Sequence, residues 1–181
     1  VSAKRTDVIS LYEDMLQKSL EDKDYLKKVT AKYGTGLSQS INELSVEQRD
    51  YLMNLPHPLL LNIENKVIML AHGSPTNIND YFYPDSDFTS YDWVTELKCD
   101  IVILGHTHYP MEKLIDDKIL LNPGSVGQPR NKGSGAHWVL YDTISQHFEF
   151  KTEDYDTTPI IEWARATNPK LPYLHKVFTR Q

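Results

Sequence analysis

Residues 100–110 read DIVILGHTHYP, an apolar run that ends in a glycine and two histidines one residue apart. Ile101 to Leu104 have the length and composition of a buried strand, too short for a helix. A second such run, Val67 to Ala71, leads directly into His72-Gly73. Two buried strands that each deliver histidine into a turn predict His72, His106 and His108 at one sheet edge if the strands are near neighbours. In open α/β sheets the carboxyl ends of strands are where ligands bind, because the loops there converge on a crevice.

Outward from these two strands, the pattern predicts an α/β chain. From Thr6 to Tyr33, apolar residues including Val8, Leu11, Met15, Leu16, Leu20, Leu26 and Val29 recur at three- and four-residue intervals, as in one amphipathic helix or two joined ones. Ser45 with Gln48 three residues later marks a helix start, with Tyr51, Leu52 and Leu55 on one face and Pro56 at its end. Leu59 to Ile63 and Val67 to Ala71 flank Glu64-Asn65-Lys66 and read as a hairpin. Ser74 to Asp87 shows no period, so a long irregular loop of the functional kind is expected. Phe88 to Leu97 reads as a helix, Met111 to Ile115 with Lys118 to Leu121 as a hairpin, His137 to Asp142 with Gln146 to Lys151 as another, and Thr158 to Ala166 as a short helix with Pro in its first turn.

Composition limits what such a chain can do. Its 181 residues are 40% apolar and carry 19 Lys and Arg against 25 Asp and Glu, a net charge of −6. At roughly 150 residues per domain this predicts a single domain with a packed core. No apolar run approaches the roughly 20 residues of a membrane span. The acidic balance, with no basic stripe, argues against nucleic acid as a partner other than as a substrate. A lone cysteine, Cys99, is the usage of a reducing compartment, so a cytoplasmic location is expected. The chain opens on Val1 rather than Met, which fits processing or a lost upstream segment.

Imidazole is the commonest neutral nitrogen ligand for divalent transition metals, and glycines such as Gly73 and Gly105 let backbone approach an ion. Histidines at i and i+2 can turn to different sides of the chain, which suits two ions about 3.5–4 Å apart better than one tetrahedral ion. A lone histidine on an apolar strand is usually a satisfied core or surface residue, and it is the placement of three at strand ends that shifts the balance toward a metal site. His57, His137, His147 and His175 show no such arrangement and are read as structural or exposed. The turn Asn122-Pro123-Gly124-Ser125, continuing to Arg130, exposes backbone N–H groups beside a cation and can cradle an anion. Its other reading is a glycine-dependent loop with Arg130 in a surface ion pair. Tyr81, Phe82 and Tyr83 in the long loop either stack on a base or pack, and packing is the expectation.

The strings AHGSP (71–75), DIVILGHTHYP (100–110) and LLNPGSVGQPR (120–130), in this order, resemble the C-terminal half of the calcineurin-like metallophosphoesterases, in particular the small bacterial and archaeal phosphodiesterase-type branch. The resemblance extends over residues 45–160. It implies two packed mixed β-sheets flanked by helices, a four-layer α-β-β-α sandwich, around a two-metal centre that activates water for attack on phosphorus. It implies His72 and His106 as ligands of one metal and His108 of the other, with manganese expected first and zinc or iron as alternatives. Gly73, Asn122, Gly124, Ser125 and Arg130 are the candidate substrate-binding residues, the phosphate contact by Arg130 being inferred from its charge alone.

That family also carries an Asp-x-His, a Gly-Asp and a Gly-Asn-His, the last supplying the general acid, and none of the three occurs in this sequence. The expectation is therefore a C-terminal part of a metallophosphoesterase domain whose first strands, about 70 residues by the usual size of such a unit, lie upstream of Val1. The general-acid histidine is expected there too, so no catalytic residue is assigned within these 181. Hydrolysis of a phosphomonoester or phosphodiester is expected of the intact parent, and this chain by itself is expected to be inactive. The alternative is a non-catalytic scaffold of the same family, or an inactive fragment, that binds a protein partner. Substrate identity and oligomeric state stay open.

Overall fold

A computed structural model describes residues 11–131 and 135–179. Val1, upstream of which the general-acid histidine and the first strands are expected, lies outside the described residues, and so does everything that expectation concerns. Contacts divide the chain into two compact units, Val1–Pro56 with Asp156–Val177 and His57–Tyr155 with Phe178–Gln181.

The first unit is helical. The predicted helix from Thr6 begins, within the described residues, as α1 (Leu11–Glu21); its first five positions lie outside them. Asp22 then ends it and starts α2 (Lys23–Tyr33), because its carboxylate accepts the backbone N–H groups of Asp24 and Tyr25 at 2.8 and 3.0 Å. Of the two readings of this segment, two joined helices is the one observed. With α3 (Gly36–Glu43) they enclose Leu16, Val29 and Leu37. Ser45 and Gln48 form the expected reciprocal cap of α4 (Val46–Met53), but the predicted apolar face is not buried as a unit: Tyr51 is 68% exposed. Near the end of the chain, α6 (Thr158–Thr167) has Pro159 in its first turn, and it is followed by the one-turn α7 (Tyr173–Lys176), too short to show a period in the sequence. The buried Asn168 ties these helices to the α2–α3 junction, its Oδ1 accepting Thr35 N–H at 2.9 Å and its Nδ2 donating to Thr35 Oγ1 at 3.1 Å.

The second unit holds a five-stranded mixed sheet in the order β1-β2-β3-β5-β4, formed by β1 (Leu59–Ile63), β2 (Lys66–Ala71), β3 (Ile101–Leu104), β4 (Met111–Ile115) and β5 (Lys118–Asn122). Strands β2, β3 and β5 run parallel in the centre, with Ala71 beside Leu104 and Ile103 beside Leu121. The outer strands are the antiparallel arms of the two predicted hairpins. Successive residues of a strand face opposite ways, so the continuous apolar runs bury two faces. Met69, Ala71, Val102, Leu104 and Leu120 meet Phe82, Phe88 and Val94 on one side. Ile68, Ile101 and Leu121, with Leu70, Ile103 and Ile119, meet Val139, Tyr141 and Phe148 on the other.

The latter three belong to β6 (Ala136–Asp142) and β7 (His147–Glu153), so within this unit two sheets pack face to face, with the helical turn around Val94 on the other face of the larger sheet, an α/β architecture. The second sheet is a two-stranded antiparallel pair rather than the expected mixed sheet. Strands joined by a tight turn can pair only antiparallel, and a parallel neighbour needs a crossover of a dozen or more residues. The predicted helix at Phe88 to Leu97 divides into a 3-10 turn (Phe88–Ser90) and α5 (Asp92–Glu96), because Tyr91 between them is extended.

Leu120 is fully buried at the centre of the sheet. Leu120→Ala is expected to cost about 2–5 kcal/mol in the second unit, read as a lower urea midpoint at unchanged slope. In the first unit, Ser45→Ala removes one half of the reciprocal cap and is expected to cost about 1 kcal/mol, read in the same titration followed by helical circular dichroism.

Candidate metal centre

The parallel pairing of β2 and β3 places the residues that follow them side by side, and Gly105 N–H donates to His72 O at 2.9 Å. Both GHTH histidines take left-handed backbone conformations, with φ of 63° at His106 and 62° at His108. Such positions are uncommon for residues with a Cβ and persist only where the surroundings over-determine them. Here the determinant is Asn122, whose fully buried side chain sits at the end of β5. Its Nδ2 donates to Gly105 O at 2.8 Å and to Thr107 Oγ1 at 3.1 Å, while its Oδ1 accepts Gly124 N–H at 2.9 Å. Thr107, also fully buried, donates its hydroxyl to Phe82 O at 2.9 Å. One carboxamide and one hydroxyl thus fasten the GHTH turn to the NPGS loop and to the long loop.

The two ends of this turn engage different partners, as the i, i+2 spacing predicts. His106 Nδ1 lies 2.7 Å from His72 Nε2, with the rings edge to face at 4.6 Å between centroids. His106 Nε2 is buried without a hydrogen-bond partner. His108 instead donates from Nδ1 to Gln128 O at 2.9 Å. A carbonyl can only accept, so the proton sits on Nδ1 and the neutral ring carries its lone pair on Nε2, the arrangement that orients a ligating histidine.

All three imidazoles are held neutral. His72 keeps some exposure, yet the packing around its ring, followed by the charges of His106, His108 and His57, pushes its pKa down to about 4. Burial first, then Arg130, lowers His106. Burial also lowers His108, against the opposing bond to Gln128, and Arg130 adds to the lowering. Arg130 is therefore close enough to the histidines to disfavour a second positive charge, and it makes no ion pair among the described residues. Its backbone N–H donates to His108 O at 3.4 Å.

The candidate loop residues divide by environment. Asn122 is buried and committed to three internal bonds, so it acts on the site by positioning the loops. Gly124, at φ 89°, is required for close approach, since a Cβ there would stand 2.8 Å from His137 Cβ. Ser125 Oγ accepts Gln128 N–H at 2.9 Å and closes the turn. Gly73 is also a close-packing position: a Cβ would lie 2.6 Å from Asn77 O, so its open side faces the long loop's backbone rather than free space. His57, which the sequence reads as structural or exposed, accepts His72 N–H on its Nε2 at 3.0 Å, and Thr107 lies between the two motif histidines. The only sequence signal for Thr107 was its place inside the motif, and His57 had none.

Two imidazole nitrogens 2.7 Å apart can share a proton or a cation, and neutral imidazoles with one orphaned ring nitrogen fit a transition-metal ion as part of a ligand set. The fit is partial: among the described residues, no group of three or more His, Cys, Asp or Glu is gathered as a metal cluster.

Residues 14–146 match the family model described as the calcineurin-like phosphoesterase superfamily domain, and the chain belongs to that superfamily. An uncharacterized protein of Methanocaldococcus jannaschii is 30% identical over 129 residues, covering 61% of this chain and 50% of its own length. A probable metallophosphoesterase of Methanothermobacter thermautotrophicus is 36% identical over 83 residues, covering 45% of this chain and 44% of its own length. The chain thus spans about half the length of these relatives. The crystal structure of a hypothetical protein from Pyrococcus horikoshii superposes with a TM-score of 0.73 at 24% identity, over 92% of this chain and 69% of that one. That of a metallophosphoesterase from Sphaerobacter thermophilus gives 0.62 at 21% identity, over 78% and 66%. These two show that the fold is that of the phosphoesterases. The superfamily is one of hydrolases that use divalent metals. Among the described residues no helix is long and apolar enough to cross a membrane.

Asn122→Leu leaves Gly105 O, Thr107 Oγ1 and Gly124 N–H without their partner and is expected to cost about 1–3 kcal/mol, measured by urea unfolding. Unfolded imidazoles titrate near 6.5 while the folded ones resist protonation, so the unfolded state binds more protons below that value. In chelator-treated buffer, stability of the second unit is expected to decline as pH falls from 6.5 toward 4, tracked by the urea midpoint at successive pH values.

Proposed function

We propose that this chain supplies the histidine side of a two-metal phosphoesterase centre, as the C-terminal part of a metallophosphoesterase domain that hydrolyses a phosphomonoester or phosphodiester in the cytoplasm. The observation that carries the reading is the convergence of His72 Nε2 and His106 Nδ1 at 2.7 Å at the ends of adjacent parallel strands. His72 and His106 would hold one ion, and His108, oriented by Gln128 O, the other. Manganese is the expected metal, with zinc or iron as alternatives, since geometry and availability rather than raw affinity select among them. Bound there, divalent ions supply Lewis acidity toward phosphoryl oxygens and a water of lowered pKa.

The chain's own residues have separable roles in this reading. Neutral imidazoles offer lone pairs at pH 7 without competition from protons. Arg130, free of ion pairs among the described residues and beside the histidines, offers charge to a phosphate oxygen. Gly124 and Ser125 hold the loop that carries it. The Asp-x-His, Gly-Asp and Gly-Asn-His motifs that complete such a centre are absent from these 181 residues. The reading therefore assigns the bridging carboxylate and the general-acid histidine to sequence upstream of Val1 or on another chain.

Calorimetric titration of the 181-residue chain with Mn²⁺ tests the metal assignment. Fewer than two tightly bound ions per chain are expected, with uptake lost in His72→Ala and His106→Ala; two tight ions would refute the incomplete-centre reading. In the intact phosphoesterase, His108→Ala is expected to lower turnover at least about 100-fold, since even loss of an orienting partner costs roughly 10–100-fold. Full activity in that variant would remove His108 from the centre.

A further inference from the structure

The long loop places its three consecutive aromatic residues in unlike environments. Phe82 is 3% exposed and packs against Phe88, Tyr91 and Trp93, at 5.9, 5.0 and 5.5 Å between centroids. Its carbonyl accepts the buried Thr107 hydroxyl. The residues on either side turn outward, Tyr81 at 52% and Tyr83 at 36% exposure. Their rings lie nearly parallel, 16° apart, with centroids 6.2 Å from each other. Packing is thus the outcome for Phe82 alone.

The position of the pair gives it meaning. Tyr81 lies 4.1 Å from the His106 ring, and Tyr83 meets Tyr109, the neighbour of His108, edge to face at 5.6 Å. An isolated exposed tyrosine needs no explanation, but two near-parallel, partly exposed rings held beside one histidine cluster offer aromatic surface at a set distance from it. The fixing is rigid at its centre, because Phe82 is held by its side chain in the core and by its carbonyl at Thr107. A phosphate at the histidines would leave its ester substituent within reach of this surface, and every nucleobase or aryl ring has a π-face that stacks on tyrosine.

Resting on the phosphoesterase reading above, we propose that Tyr81 and Tyr83 form an aromatic ledge beside the histidines that selects phosphate esters carrying a flat aromatic ring. Nucleobase and simple aryl substituents share that chemistry.

Saturation-transfer NMR on the 181-residue chain with Mg²⁺, a diamagnetic divalent ion, detects such binding even when weak. AMP is compared with ribose 5-phosphate, and phenyl phosphate with methyl phosphate, with competition by inorganic phosphate. The expected result is about a tenfold tighter apparent Kd for the ring-bearing member of at least one pair, the size of a single stacking contact. Saturation should be strongest on ring protons, and phosphate should displace the ligand. A preference in the first pair only identifies a nucleobase, and one in both pairs any aryl ring. Tyr81→Ala and Tyr83→Ala should each reduce the ratio below about threefold, while Tyr81→Phe should retain it, since stacking needs the ring and not the hydroxyl. Equal binding of both members of each pair, displaced by phosphate, would overturn the ledge and leave the phosphoesterase reading standing. Adenosine binding as well as AMP, insensitive to phosphate, would also overturn the proposal by separating the rings from the phosphate site. No binding of any phosphate ester would overturn the ledge as a recognition surface of this chain, while the phosphoesterase reading, which places the rest of the centre outside these residues, is decided separately by the Mn²⁺ titration and by His108→Ala.

Discussion

The Asn122 carboxamide is the constraint on which the site depends. It is the last residue of a central parallel strand, it is fully buried, and each of its bonds reaches a different part of the surrounding turns. A buried amide has to satisfy its donors and acceptor inside the protein, and the groups it bonds are placed accordingly. Two consequences follow for function. The GHTH turn is held with two non-glycine residues in left-handed conformation, and the NPGS loop is held against that turn rather than free above it. The strain stored in the two histidines persists because the bonds from Asn122 and Thr107 fix the residues between and beside them.

Beneath that clamp lies a sheet whose central strands are buried on both faces. The alternation of Met69, Ala71, Val102 and Leu104 with Ile68, Leu70, Ile101 and Ile103 separates two cores, one closed by the long loop and α5, the other by β6 and β7. The loop that carries Tyr81 and Tyr83 is therefore part of the packing of the sheet through Phe82, and its exposed rings inherit the rigidity of that packing. Structure and recognition are coupled there through one residue and one hydroxyl.

Electrostatics act in the same direction as the hydrogen bonds. Burial disfavours protonation of all three imidazoles, reinforced at His72 by the neighbouring histidines and at His106 and His108 by Arg130, so their lone pairs are available. Such a cluster attracts a phosphate weakly and a cation through nitrogen. Only added carboxylates would neutralise two divalent ions there. In the proposed two-metal centre, the need for carboxylates beside these imidazoles is thus a matter of charge balance as much as of motif.

Much of this was legible before any coordinates. Apolar runs of strand length ending in AHGSP, GHTH and NPGS specify buried strands that each run into a polar turn, because period and length are local properties of the chain, while the parallel pairing that sets those turns side by side came from the tertiary structure. The cap at Ser45 and the hairpins around Glu64-Asn65 and Asp116-Asp117 were readable for the same reason. What the tertiary structure alone decided are relations between distant residues. His57 supports His72 from 15 positions away, Thr107 bonds Phe82 from 25 positions away, and Asn122 reaches back 17 positions to Gly105. It also decided which of three adjacent aromatics enters the core. Periodicity can say that a residue alternates between two faces, but which face meets protein and which meets solvent depends on what the rest of the chain brings to each side.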